Sequence, residues 1–222
     1  MFIGKEQNDP VLVRKVIQIL AKIHSLDVPI KKKAKVLFEL MVRSYEEAVK
    51  KFPINDFIEE YNCETLKKYD LKAEIDWIKG AIERANSPVV FTHNDFRSHN
   101  LLITEPNDEL VVCDFDFSRY EHRGSDFVCL IREWGRKPME YKSIEGLPLE
   151  SQFKPLIEIY VEECERIYGK SYSQNPINSV DHILKEVKTF LLFSYLFSTV
   201  NFMKEDEGSV EFMLTRKLIM VN

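Results

Sequence analysis

A chain of 222 residues with 45% hydrophobic and 12% aromatic side chains can bury one substantial core, and only seven glycines exclude collagen-like or low-complexity architecture. Lys and Arg total 31 against 36 Asp and Glu, and the resulting charge of -5 repels phosphate backbones, so no nucleic-acid partner is expected.

In chain order, Asp9-Pro10 is an N-cap and N1 pair, and Leu12, Val16, Ile19, Leu20 and Ile23 recur at helical spacing, which predicts a helix up to His24. A second amphipathic helix is predicted over 31–52 and stopped by Pro53, with the Lys31-Lys32-Lys33-Ala34-Lys35 run as its solvated face. Leu71, Ile75, Ile78 and Ile82 outline a third helix, broken at Asn86-Ser87-Pro88. Short strands are predicted over 89–91, 101–103 and 110–113, the last two joined as a hairpin by Glu105-Pro106-Asn107-Asp108. From Arg123 the pattern is helical again, with long helices over 152–168, 178–204 and 209–220. The fold class is therefore α+β, mainly α, in one domain.

Cys63, Cys113, Cys129 and Cys164 have no CxxC spacing and form neither a disulfide framework nor a zinc knuckle; reduced thiols are expected. Residues 1–6 lack the apolar stretch of an export signal, and the apolar run over 189–200 is too short to cross a bilayer. A cytoplasmic chain without membrane insertion is expected.

The chemistry concentrates where the strands end. After the first comes His93-Asn94-Asp95-Phe96-Arg97-Ser98-His99-Asn100, and after the third comes Asp114-Phe115-Asp116. Phosphoryl transfer needs a carboxylate near the acceptor hydroxyl and oxygen ligands for magnesium, and D-x-x-x-x-N followed by a strand and D-F is the order of the protein-kinase catalytic loop. On this reading Asp95 is catalytic, orienting the acceptor hydroxyl and taking its proton. Asn100, Asp114 and Asp116 are the metal ligands. His93 and His99, five residues apart with no further Cys or His in range, do not make a structural zinc site.

The following Arg123-Gly124-Ser125-Asp126 and Glu133-Trp134 complete a series that resembles the choline/ethanolamine kinase family: H-N-D-x4-N, then D-F-x-F, R-G-x-D and E-W. The resemblance covers nearly the whole chain. It implies a kinase-like C-terminal lobe over 1–222, with 1–8 a remnant of the interlobe hinge and 89–126 the catalytic and metal-binding segment. The ATP-clamping N-terminal lobe is expected to be absent from this sequence, so that the chain by itself is expected to be weakly active or inactive.

The function implied is ATP- and magnesium-dependent phosphorylation of choline or ethanolamine, with ATP and an amino alcohol as small-molecule partners and a homodimer left open. A binding or regulatory module derived from such a kinase, or an aminoglycoside-phosphotransferase-like kinase of another small molecule, is the alternative. Family members box the choline ammonium with aromatic rings. Phe193 and Phe197 on the late helix, with Tyr141, are the substrate-binding candidates beside Asp95, although helix-spaced aromatics equally suit core packing. Glu133 could neutralise the ammonium or pair with an arginine. His93, Arg123, Asp126 and Trp134 are expected to support the site, Asp126 by tying down the catalytic loop.

Overall fold

The computed structural model describes residues 4–34, 36–104, 106, 109–134, 148–205 and 208. A 3-10 turn, Gly4–Asn8, leads into α1, Pro10–His24, where the Asp9 carboxylate accepts the Val11 and Leu12 N–H groups at 2.8 and 3.3 Å. The helix begins there because Pro10 has no N–H to orphan and Asp9 satisfies two of the donors that remain. Then follow α2 (Val36–Lys51), α3 (Ile54–Glu60), α4 (Glu64–Lys68), α5 (Leu71–Ala85), β1 (Val89–Thr92), a 3-10 turn (Ser98–Asn100), β2 (Leu101–Thr104), β3 (Glu109–Val112), β4 (Arg119–His122), α6 (Gly124–Glu133), α7 (Glu150–Tyr168), α8 (Ser171–Gln174) and α9 (Val180–Met203). The fold is α+β and mainly helical, as the pattern of the sequence predicts. No helix among the described residues is long and apolar enough to cross a membrane.

By internal contacts the chain divides into two compact units, Met1–Ala34 with Ala85–Leu191, and Lys35–Arg84 with Leu192–Asn222. In the second unit Met41, Ala48, Phe52, Ile54, Ile58, Leu66, Ile75 and Ile78 are buried, and Ser44 donates to Asn201 at 3.1 Å. In the first unit α1 packs on α7, and Leu12, Val16, Ile17 and Leu20 of α1 and Phe153, Leu156, Ile157 and Tyr160 of α7 are buried.

Several elements differ from the sequence expectation. The second helix starts at Val36 rather than Lys31, because a run of cations at a helix N-terminus opposes the macrodipole. The helices α3 and α4 were not predicted: seven and five residues are too few to display a 3.6-residue period. Nor was β4, whose Arg-Tyr-Glu-His sequence has no apolar alternation and is a strand through pairing with β1. The helix expected over 209–220 lies outside the described residues.

The strands form two separate antiparallel ribbons, β1 with β4 and β2 with β3. Thr92 at the end of β1 pairs with Arg119 at the start of β4, and Val112 at the end of β3 pairs with Leu101 at the start of β2. The segments 93–100 and 113–118 therefore both run between the same two ribbon ends, side by side. Topology, rather than sequence proximity, brings the two acidic clusters onto neighbouring loops.

Candidate active site

The two loops are stitched together by hydrogen bonds. Cys113 N–H donates to the Asn100 carbonyl at 3.1 Å, His93 Nε2 lies 3.0 Å from the Cys113 carbonyl, Asn94 Nδ2 donates to the Phe117 carbonyl at 3.2 Å, and Ser118 Oγ donates to the His93 carbonyl at 3.3 Å. Since a carbonyl only accepts, His93 carries its proton on Nε2, which leaves Nδ1 to accept the Asp95 N–H at 3.3 Å. A fully buried imidazole thus aligns Asp95 and the residue before Asp114 at once.

Both loops hold a residue in the left-handed region, Asn94 at φ 60° and Asp114 at φ 65°. Asn and Asp tolerate this conformation better than other non-glycine residues. At Asp114 it turns the chain sharply off β3 and leaves the side chain exposed, as it is at Asp116.

Asp95 is held from two sides. Asn100 Nδ2 donates to its Oδ2 at 2.7 Å and to its carbonyl at 2.9 Å, and Arg97 Nε lies 3.0 Å from Oδ1. Glu133, at the end of α6, accepts the Ser98 N–H at 3.2 Å, with Arg97 Nη1 and His99 Nδ1 at 3.9 and 3.8 Å from its carboxylate. Glu133 therefore contacts the same loop as Asp95, through an arginine pair among other contacts.

Beneath the loop lies Asp126, wholly buried in the first turn of α6. Its carboxylate accepts the His93 and Asn94 N–H groups at 2.7 and 2.6 Å, and His24 Nε2 lies 3.2 Å away. Because an ionised carboxylate only accepts, His24 donates from Nε2, and its Nδ1 faces the Tyr160 hydroxyl at 2.9 Å. Burial pushes the Tyr160 phenol well above its ordinary pKa, so it remains a donor.

Arg123 is equally buried. It forms a two-point pair with Glu186 at 2.5 and 3.1 Å and donates to Tyr172 Oη, Asn178 Oδ1 and the Ile177 carbonyl. Burial would lower its pKa, but the bond to Glu186 and that carboxylate's charge hold it above its ordinary value. Gly124 lets this pair form: a Cβ there would stand 2.6 Å from Phe190 Cδ2 and 3.3 Å from the Glu186 backbone, so α6 meets α9 at van der Waals distance only without a side chain.

Of the other candidates, Trp134 is half-buried just past α6, and its backbone N–H donates to the Ile131 carbonyl at 3.2 Å. Phe193 and Phe197 lie on the part of α9 in the second unit, ring centroids 5.9 Å apart. Tyr141 lies outside the described residues. His24, Tyr160, Tyr172, Glu186 and Arg97 were not singled out from the sequence. Glu186, a lone acid between Ile183, Val187 and Phe190, was the visible clue, since a carboxylate inside an apolar helical stripe requires a cationic partner.

No group of three or more His, Cys, Asp or Glu side chains is gathered to hold a metal among the described residues. The available donors are the Asn100 amide oxygen and the Asp114 and Asp116 carboxylates. Such hard oxygens suit magnesium, which binds through one or two carboxylates and completes its shell with water and phosphate.

The sequence profile of choline/ethanolamine kinases matches residues 4–215. A human choline/ethanolamine kinase is 30% identical over 209 residues, 87% of this chain and 50% of that protein, and a rat choline/ethanolamine kinase is 32% identical over 208 residues with the same coverage. The chain thus spans about half the length of the curated relatives it matches. Among solved structures, a Plasmodium vivax ethanolamine kinase superimposes with a TM-score of 0.64 at 16% identity, covering 97% of this chain and 61% of that one. A Cryptosporidium parvum choline kinase gives 0.62 at 21%, covering 93% and 63%. At these identities the structures speak for the fold, and the profile match over nearly the whole length establishes that this chain belongs to the choline/ethanolamine kinase family.

Proposed function

We propose that the chain carries the catalytic loop and metal-binding acids of a kinase that transfers the γ-phosphoryl group of ATP to the hydroxyl of choline or ethanolamine, activating the head groups of phosphatidylcholine and phosphatidylethanolamine. What supports this reading is the pinning of Asp95 and Asn100 beside the Asp114 segment by His93 and the Cys113–Asn100 bond. Asp95 orients the acceptor hydroxyl and takes its proton as the oxygen–phosphorus bond forms and ADP departs, and Asn100 Nδ2 fixes the carboxylate in that orientation. Asn100 Oδ1, Asp114 and Asp116 would hold magnesium. The ion supplies positive charge against the triphosphate. Glu133, whose carboxylate contacts the catalytic loop, is assigned to the acceptor's ammonium.

The test is radiolabelled phosphate transfer from ATP to each amino alcohol, by the 222-residue chain and by the chain fused to a family N-terminal lobe. Transfer is expected at least in the fusion, with Asp95→Asn lowering kcat about 10²- to 10⁴-fold, the usual weight of a positioned general base. Absence of transfer in both proteins, together with absence of magnesium-nucleotide binding in calorimetry, would overturn the reading in favour of a non-catalytic module.

A further inference from the structure

The second unit contains a cavity of about 330 Å³, at the small end of the range of small-molecule sites, and no residue of the two catalytic loops lines it. Its walls come from α2, α3, α4 and the start of α5. Phe52, Ile54, Ile58, Leu66 and Leu71 line it and are buried, so the apolar part of the lining is the unit's own core.

The charged part has one sign. Asp56 and Asp70 line the cavity and are exposed, and among the described residues no Lys, Arg or His joins them. Lys51, Lys67 and Lys72, on the same helices, are engaged elsewhere: Lys51 Nζ with the carbonyls of Lys204 and Glu205 at 3.3 and 2.6 Å, Lys67 with Glu59 at 2.9 Å, and Lys72 with Asp76 at 2.6 Å. Asp70 Oδ1 accepts the Ala73 N–H at 2.7 Å, and neither Asp56 nor Asp70 is ion-paired among the described residues. The half-buried Tyr45 hydroxyl in the same lining responds to this field: burial first, and then the charge of Asp70, hold its pKa above the ordinary value although Lys72 opposes them.

An apolar lining with two unpaired carboxylates favours one class of ligand. Anions, nucleotide phosphates included, are repelled. A neutral apolar molecule gains burial alone, whereas an ammonium on an apolar body gains burial, charge-assisted N–H bonds to a carboxylate and attraction to the Tyr45 ring.

We propose that this cavity is a binding site for a small organic ammonium with an apolar body, Asp56 and Asp70 holding the charge and the buried aliphatic and aromatic side chains holding the body. The site shares no residue with those assigned to phosphoryl transfer, and a chain without kinase activity would retain it.

Phenethylamine, phenethyl alcohol and hydrocinnamate carry one ring on an ammonium, a hydroxyl and a carboxylate, and their titration into the nitrogen-15-labelled 222-residue chain, followed by NMR, tests the site. The amine is expected to shift the amides of 45–71 and to bind roughly three- to tenfold more tightly than the alcohol, the weight of two exposed ion pairs, with the carboxylate weakest. Asp56→Asn combined with Asp70→Asn, which keeps an oxygen for the Ala73 N–H, is expected to reduce the amine to the affinity of the alcohol. Equal affinities of amine and alcohol for the wild type overturn the inference without recourse to any variant. An amine affinity unchanged in the folded double variant overturns it too, as do shifts confined to the amides of 93–100, which would place the amine at the catalytic loop instead.

Discussion

Replacing Asp126 with Asn changes one atom and should still damage the catalytic loop. Oδ1 receives the Asn94 N–H at 2.6 Å, and Oδ2 receives the His93 N–H at 2.7 Å together with His24 Nε2 at 3.2 Å. An amide offers one oxygen and one NH2. If the NH2 takes the Oδ1 position it faces the Asn94 N–H. If it takes the Oδ2 position, His24 can change tautomer to accept from it, but the His93 N–H still meets a donor. In either rotamer one buried backbone donor is orphaned and the bond that remains is no longer charge-assisted. One charge-assisted bond lost and one unsatisfied buried donor together suggest a destabilisation of about 2–4 kcal/mol. Urea unfolding followed by circular dichroism measures this, and nitrogen-15 NMR should show the His93 and Asn94 amide protons displaced upfield, with faster hydrogen exchange than the surrounding helices. A loss below about 1 kcal/mol with both amides unmoved would refute the claim that Asp126 holds the loop.

Two further outcomes follow from the buried groups. Arg123→Ala leaves the Glu186 carboxylate, itself fully buried, without its two-point partner, and should cost about 3–5 kcal/mol in urea unfolding; the double replacement Arg123→Met with Glu186→Met should cost less than the sum of the single changes. Burial raises the thiol pKa of Cys129 and Cys164 above 9.0 and that of the Tyr160 and Tyr172 phenols above 10.0. The unfolded chain releases these protons first, so their contribution to stability is complete below the unfolded values and declines as pH rises above about 9. The urea midpoint is therefore expected to be flat from pH 7 to 8 and then to fall, with the buried Cys164 alkylated only on unfolding; native-state labelling of Cys164 at pH 8 would contradict this.

The sequence by itself was sufficient for α1, whose Asp-Pro start and apolar period act locally, for the β2–β3 hairpin with its breaker-rich turn, and for the order of the family motifs. The set His93, Asp95, Asn100 and Asp114 was legible because the first two follow one apolar strand, Asn100 directly precedes a second and Asp114 follows a third. Tertiary structure alone decided the rest. It made a strand of the polar β4 by giving it β1 to pair with, set the two acidic loops side by side through the end pairs Thr92–Arg119 and Leu101–Val112, and found Asp126 its partners in His24 and in the backbone of 93 and 94. It also placed Arg97 between Asp95 and Glu133. The physical reason is one of range: capping, turn chemistry and helical period act within a few residues, whereas hydrogen bonds between residues 32 or 102 positions apart in sequence exist only once the core has brought them together.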